Sequence, residues 1–517
     1  MSPHLKAFII VFAVSVFALF LYRAPIAGVV GAKRADNWRN MWLAATAALF
    51  LIPNFWAFII TLIVLVAIMA RTEPLKPAAF LMLLFFAPAY GDSIPGFAGI
   101  NKFIMVTPPV ALIIALLIPL LASGRAMKKI APAGGGADLF MLLYILLLLF
   151  LSTRAESFTH MLRTAIERTI TVAPLYYAFS RAPKSLDDIR VLSAAFVYPV
   201  LILCVISIPE FLKNWHLYTS ASDQWFGARS FTYVLRDGFL RTSTSINDPI
   251  AWGAVCMAAL GVGIALISDK FSRPYRYLSF GLLAFGLIVS FSRGPWLGAF
   301  IAVGVFILVS PRAMQRFVQI GAGGTIALLF SMATPVGRRI IDLIPFIGDA
   351  ATDTISYRRQ LLTAARQVMA ENPILGSENY MHHPKLEALR QGQGIIDIVN
   401  SYLQIGLESG YVGLALFTGF FGFALLALYR AIQSSKHYDP EMSLYCRAYF
   451  GALIGLLATI FTTSSVLHIP YLYWTLGGIA VALARIERHR RENAGALTAT
   501  APAAAAPAQT DLRFNWK

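Results

Sequence analysis

The sequence predicts an all-α fold, a polytopic membrane helix bundle of about 12–15 spans with one large loop before the last three helices. Three observations carry this expectation. Of 517 residues, 58% are hydrophobic and only 13% charged, with mean hydropathy +0.66. A soluble domain of that composition would leave far too much apolar surface wet. Apolar runs near the roughly 20 residues that a bilayer core requires recur along the chain, where a membrane β-barrel would show short alternating strands instead.

Leu5–Tyr22 is long enough to span and has no small-residue cleavage site before the polar Arg23–Asn40 stretch, so it reads as retained. Met41–Ala70 is divided by Pro53-Asn54, either as one kinked, tilted helix or as a half-helix followed by a span. Further spans are expected near residues 76–90, 103–122, 138–153, 165–180, 190–209, 248–267, 275–290, 293–309 and 318–334. Three more follow near 411–429, 444–464 and 467–484. The division is a transmembrane bundle over 1–334, a loop with short helices over 335–410, C-terminal membrane helices over 411–491 and a tail over 492–517. The Ala/Pro/Thr composition of that tail buries too little apolar surface to order itself.

Sidedness follows from lysine and arginine in the short loops. Arg71–Lys76, Arg125–Lys129, Arg181–Arg190, Lys270–Arg276, Arg312–Arg316, Arg430–Lys436 and Arg485–Arg491 alternate correctly if all face the cytoplasm. The loops at 90–102, 154–164, 210–247 and 335–410 then face outward, while Arg23–Arg39 leaves the N-terminus open. The net charge of +17 is accounted for by basic loops and by cationic groups that meet an anionic lipid, not by nucleic acid. Cys204, Cys256 and Cys446 lie in or beside apolar runs, match no metal or redox spacing, and read as small packed hydrophobes.

Three outward-facing features carry polar chemistry. The first is Phe291-Ser292-Arg293-Gly294-Pro295-Trp296, a tight turn between two spans. Arg293 there either snorkels to headgroups or faces a polar cavity; a helix junction favours the cavity. The second is Leu240–Pro249, rich in hydroxyls, where Asp248-Pro249 opens the next helix and Arg241 stands closest to the membrane. The third is the large loop. Thr354–Ala370 has an apolar helical stripe of Ile355, Leu362, Ala365 and Met369, with Arg358, Arg359 and Arg366 interspersed, and Asn372-Pro373 ends it. Asp397, Asn400, Ser401 and Gln404 fall at helical spacing and share a polar face, either a catalytic wall or the solvated side of an amphipathic helix.

No Asp-x-Asp, Walker A, His-Glu-x-x-His or nucleotide-binding glycine fingerprint occurs, so no metal site or cofactor is expected. What remains is arginine plus a carboxylate. Guanidinium groups hold phosphate bidentately and keep their charge, which suits a lipid diphosphate leaving group. A carboxylate such as Asp397 can take the proton of an attacking sugar hydroxyl.

The run Ser292-Arg293-Gly294-Pro295-Trp296-Leu297-Gly298 resembles the Ser-Arg-Gly-x-Trp-Leu-Gly turn of the O-antigen ligase and polysaccharide polymerase superfamily. So do Tyr357-Arg358-Arg359, Glu371–Gly376, Val399–Gln404 and Glu408–Leu414, over roughly residues 240–430. The resemblance implies inverting, metal-independent glycosyl transfer from an undecaprenyl-diphosphate-linked oligosaccharide, on the periplasmic side of a bacterial inner membrane. It maps the diphosphate-holding arginines to Arg241 and Arg293. Ligases of the family carry a histidine where this chain has Val399, which shifts the expectation toward a polymerase with Asp397 as base. The expected site is thus Asp397 and Arg293 as catalytic groups, with Arg241, Arg293, Arg358, Arg359 and Asn400 binding substrate. Expected partners are membrane lipids, a flippase and a chain-length regulator of a polysaccharide assembly system. A ligase acting on lipid A core, and a non-enzymatic flippase or exporter, are the alternatives.

Overall fold

A computed structural model of the chain describes residues 2–96, 102–123, 135–226, 235–236, 238–311, 313, 315, 352–390 and 396–500. The first helices are α1 (Pro3–Leu21), α2 (Arg23–Val30), α3 (Ala32–Leu51) and α4 (Phe55–Met69). The expected Met41–Ala70 stretch is therefore two helices parted at Ile52–Asn54. Asn54 caps the second, its side chain accepting the Ala57 N–H at 3.0 Å.

The expected 76–90 span is reduced to α5 (Lys76–Leu84), too short to cross, with every residue from Pro77 to Leu84 buried. A hairpin follows, β1 (Asp92–Pro95) pairing antiparallel with β2 (Lys102–Val106). It takes the first residues of the expected 103–122 span, and the helix itself is α6 (Pro108–Ala122). After α7 (Gly136–Ser152), the expected 165–180 span is split at Thr171-Val172 into α8 (Phe158–Ile170) and α9 (Ala173–Arg181). The apolar and charged residues of α8 segregate to opposite sides, which suits a helix lying along a surface.

Of the remaining elements the long helices fall close to their expected places, while a short helix and a short ribbon lie in the stretch 210–247 that was expected as a loop. In chain order the elements are α10 (Leu186–Lys213), α11 (Thr219–Phe226), the short ribbon β3 (Leu235–Arg236) and β4 (Phe239–Leu240), and α12 (Pro249–Lys270). Then come α13 (Arg273–Val289), α14 (Arg293–Leu308), α15 (Thr352–Glu371), α16 (Ser401–Ser435), α17 (Pro440–Ile460) and α18 (Ile469–Thr500). The expected 318–334 span lies outside the described residues. The helix α18 runs on past Glu492, where a disordered tail was expected to begin. Among the described residues seven helices are long and apolar enough to cross a membrane, and three shorter apolar ones join them. The chain is a multi-pass membrane protein of helix-bundle architecture.

The centre of the bundle is α10 and α12, buried almost all round, as uniformly apolar helices must be. Beside them α14 and α17 pack through small residues. A Cβ on Gly298 would stand 2.0 Å from Thr459 Oγ1, and one on Gly455 2.5 Å from the Gly298 carbonyl oxygen. The spacing Gly294, Gly298, Ala302 against Gly451, Gly455, Thr459 is the small-residue pattern that lets membrane helices approach closely. Gly294 therefore serves the helix interface; the turn itself is at Phe291.

The bundle has two distinct faces. On one, Arg190 and Lys270 meet Glu441, Arg181 meets Asp138 and Arg490 meets Asp439. On the other lies a small second core of Leu361, Ala365, Val368, Met369, Tyr380, Ile398 and Leu407, which forms a cap. The buried stripe of α15 runs through Leu361, 2% exposed; Leu362, expected inside, is 37% exposed.

Gly298→Val is expected to lower the melting temperature of the detergent-purified protein, by an overpacking penalty of about 1–3 kcal/mol. Gly304→Val, on the same helix with nothing near its Cβ position, is expected to leave it unchanged. Equal melting temperatures would mean that the helices are not held so close.

Candidate active site

The cap is fastened to the bundle by a crossing of two backbone segments. Helix α15 ends at Glu371, and Asn372–Gly376 then runs against α16 where that helix breaks at Gly410, φ +66°. The Tyr411 N–H donates to Pro373 O at 2.7 Å and the Ser377 N–H to Leu407 O at 2.9 Å. A Cβ on Gly410 would lie 2.2 Å from Ile374 O, and one on Gly376 2.5 Å from Leu407 O. Only glycine permits both the close approach and the positive φ. Arg154, just beyond α7, clamps the crossing. Its guanidinium donates to Leu375 O at 3.1 Å, Gly376 O at 2.9 Å and Glu408 O at 3.0 Å.

This crossing lays α15 over the helix ends where the arginines stand. Arg241 donates through Nη2 to Ser292 Oγ at 2.8 Å and through Nε to Ser290 O at 3.3 Å. Ser292 Oγ in turn donates to Pro249 O at 3.0 Å, so one side chain ties residue 241 to the starts of α12 and α14. Arg293 opens α14 and is half-buried, with its Nε buried and without a hydrogen-bond partner among the described residues. An orphan guanidinium N–H at a helix junction is costly unless an anion completes it. Arg358 reaches in from α15, Nη2 lying 3.5 Å from Thr462 O. Desolvation lowers its pKa from the ordinary arginine value, Asp397 opposing that shift and Arg293 adding to it. Arg358 thus lies within electrostatic reach of both Asp397 and Arg293, and Arg241 is tied to Ser292 beside Arg293.

Asp397 lies in an irregular segment before α16, not on it, where the Val399 N–H turns back to the Asp397 carbonyl at 3.1 Å. Its Oδ1 accepts the Ser464 hydroxyl at 2.8 Å, and its backbone carbonyl accepts the Tyr357 hydroxyl at 3.0 Å. The helical polar face expected for 397–404 is therefore not formed. Asn400 is the N-cap of α16, its side-chain oxygen accepting the N–H of Tyr402 at 2.9 Å and of Leu403 at 3.2 Å. Ser401 is buried, bonded to Thr463 O at 2.8 Å. Arg359 is exposed and makes no side-chain hydrogen bond among the described residues. Geometry therefore gathers Arg241, Arg293, Arg358 and Asp397, and leaves Arg359 and Asn400 at the margin.

Other residues bear on the site that sequence reasoning passed over. Asp248 was read only as opening a helix, and it does cap α12, accepting the Ala251 N–H at 2.6 Å. Desolvation also raises its carboxyl above the ordinary range, with the Ala251 N–H and Arg241 opposing and Asp397 adding. The Thr462–Ser465 run was absorbed into an expected span ending at 464. It is instead a hairpin between α17 and α18 that forms the floor under Arg358 and Asp397. Its signal was visible as four consecutive hydroxyl residues at the end of an apolar run.

Glu210, fully buried in the last turn of α10, holds the loop that carries Arg241. Its Oε1 accepts the Ser243 N–H at 2.8 Å and the Thr244 N–H at 3.1 Å, with His216 Nδ1 at 3.0 Å. Thr244, Phe291 and Leu467 all sit at positive φ, 49°, 44° and 51°, in the loops around the site. Such strain costs of order 1–3 kcal/mol per residue and gathers where surrounding structure overrides it.

Fold and site together define a multi-pass membrane protein with an arginine-lined polar site under a helical cap. Residues 278–418 match the model of a family described as O-antigen ligase, a stretch that runs from α13 through the cap into α16. That match supports the resemblance to the O-antigen ligase and polysaccharide polymerase superfamily and a function of that general type. No curated protein matches the chain.

Gly410→Ala is expected to loosen the cap, seen as faster proteolytic cleavage within residues 352–400 of the detergent-purified protein. Gly422→Ala, later on the same helix with nothing near its Cβ position, is the reference. Equal cleavage rates would mean that the crossing is not what fastens the cap.

Proposed function

We infer that the protein is a metal-independent inverting glycosyltransferase that polymerises undecaprenyl-diphosphate-linked repeat units of an exopolysaccharide or O-antigen. It would act from the periplasmic face of the bacterial inner membrane. The observation that supports this reading is the grouping of Arg241, bonded to Ser292 beside Arg293, with Arg358, which lies within electrostatic reach of both Arg293 and Asp397, at the capped face of a membrane bundle.

The chemistry follows from the parts. The arginines bind the diphosphate of the donor, the buried Nε of Arg293 completing its hydrogen bonding there. Asp397, oriented by Ser464, accepts the proton of an acceptor sugar hydroxyl. The hydroxyl oxygen forms a bond to the anomeric carbon as that carbon's bond to the diphosphate breaks. The bonding pair leaves with undecaprenyl diphosphate, whose developing charge the arginines stabilise. Attack from the side opposite the leaving group inverts the anomeric centre. Arg359 and the amide nitrogen of Asn400 line the approach. A flippase that supplies the lipid-linked unit and a chain-length regulator are the partners this role requires.

A ligase that transfers finished glycan to lipid A core is the second reading, favoured by the matched family's description. The lipid-linked glycan of cells lacking the protein separates the two. Single repeat units accumulating on the carrier mean a polymerase, and long chains stranded on it mean a ligase. Units retained on the cytoplasmic side would instead make the protein a flippase and overturn the enzymatic reading.

Arg293→Ala is expected to lower turnover by roughly 10²–10³-fold, as loss of a transition-state charge donor does. Asp397→Asn is expected to lower it by roughly 10²–10⁴-fold, as loss of a general base does. Both are measured as product formed in reconstituted vesicles at wild-type protein level, and wild-type rates in both would dismiss the site.

A further inference from the structure

A second cavity, of about 260 Å³, opens behind the hairpin that carries Ser464. It lies between α7, the α8–α9 break, the first turns of α16 and the start of α18. Tyr144, Tyr473 and Trp474 make its aromatic wall, and Arg168, Gln404 and Glu408 supply its polar groups. Glu408 Oε1 accepts the Tyr380 hydroxyl at 3.1 Å and the Gln404 amide at 3.2 Å, which fixes the carboxylate in place. Its Oε2 has no hydrogen-bond partner among the described residues. Half-buried Arg168 also makes no side-chain hydrogen bond or ion pair among them. A carboxylate oxygen and a guanidinium thus face one cavity without pairing with each other.

We propose that this cavity is the acceptor subsite, holding the terminal sugar of the acceptor glycan between Glu408 and Arg168. The inference rests on the glycosyltransferase reading above and adds to it where the acceptor binds. An aromatic wall with a fixed carboxylate and a cationic donor matches a sugar ring, which has an apolar face and hydroxyls that both donate and accept. A phospholipid phosphate would fit Arg168 but meet the free oxygen of Glu408, a like-charge contact. Position agrees. The Ser465 N–H, on the cavity wall, donates to Gln404 Oε1 at 3.2 Å, while the adjacent Ser464 holds Asp397. The Ser464-Ser465 pair thus joins the cavity wall to the carboxylate that would take the acceptor's proton.

The test uses the full-length protein in vesicles with the lipid-linked oligosaccharide that accumulates in cells lacking it. Glu408→Gln keeps the side chain's shape and the oxygen that Tyr380 and Gln404 bond, and Arg168→Gln removes the cation. Each is expected to raise the apparent KM for that oligosaccharide about tenfold, the effect of losing one good polar contact. The Kd for undecaprenyl diphosphate, a probe of the arginine site, and the melting temperature are expected to stay at wild-type values. Product from the oligosaccharide alone identifies the acceptor as a second carrier-linked unit. Product that needs added lipid A core glycolipid makes the oligosaccharide the donor and that glycolipid the acceptor; the tenfold rise is then expected in the glycolipid's KM, and a rise in the oligosaccharide's KM alone overturns the subsite.

Unchanged KM in both variants overturns the proposal. So does a parallel loss of undecaprenyl diphosphate binding, which would make the cavity part of the donor site. Inhibition of the wild type by phosphatidylglycerol that is relieved in Arg168→Gln would make it a headgroup site. If the wild type forms no product and cells lacking it accumulate no lipid-linked glycan, the glycosyltransferase reading itself fails and this inference with it.

Discussion

The site depends on the passage of one backbone segment against another at Gly376 and Gly410. The cap contributes Arg358 and Asp397, and the bundle contributes Arg241 and Arg293. Interleaved hydrogen bonds hold the two parts together, and Arg154 satisfies three carbonyl oxygens at the crossing, Glu408 O on α16 and Leu375 O and Gly376 O on the segment laid against it. A backbone polar group left bare beside lipid costs several kcal/mol. A helix can therefore be interrupted at this depth only where something else supplies donors. Two glycines and one arginine meet that requirement, and the motifs around Glu371–Gly376 and Glu408–Leu414 are the two sides of one joint.

A similar economy governs the bundle side. The same turn that presents Arg293 leads into the helix face that packs against α17 through Gly294 and Gly298. Close packing below the turn limits how far the guanidinium can wander above it. Phe291 is forced to φ 44° between the Arg241 contacts at Ser290 and Ser292, and the buried carboxylate of Glu210 restrains the loop on the other side. Strain and a buried charge would be liabilities in a plain membrane helix. Here both lie in the loops that set where two arginines point, which is where preorganisation has a use.

Much of this was readable from residue order. Hydropathy located most helices within a few residues. Arg241, Arg293, Arg358 and Asp397 stand out in the sequence as polar groups in or beside the outward-facing loops it predicts. Helical spacing misled at 397–404, because Asn400 prefers to cap a helix and so ends the irregular segment that holds Asp397. Apolar runs at 76–90 and 165–180 looked like spans but are half-helices and a surface helix. Hydropathy reports how greasy a segment is, not whether protein or lipid surrounds it.

Residue order alone therefore settled a lipid-embedded helical architecture and the places of most of its helices. These properties add up locally, from the transfer free energy of each side chain. Tertiary structure alone decided which carboxylate meets which arginine, that Ser464 holds Asp397, and that Glu408 and Arg168 face a common cavity. Those relations join residues far apart in sequence through backbones that touch at single glycines. No local pattern encodes such an approach, because it depends on how every intervening helix packs.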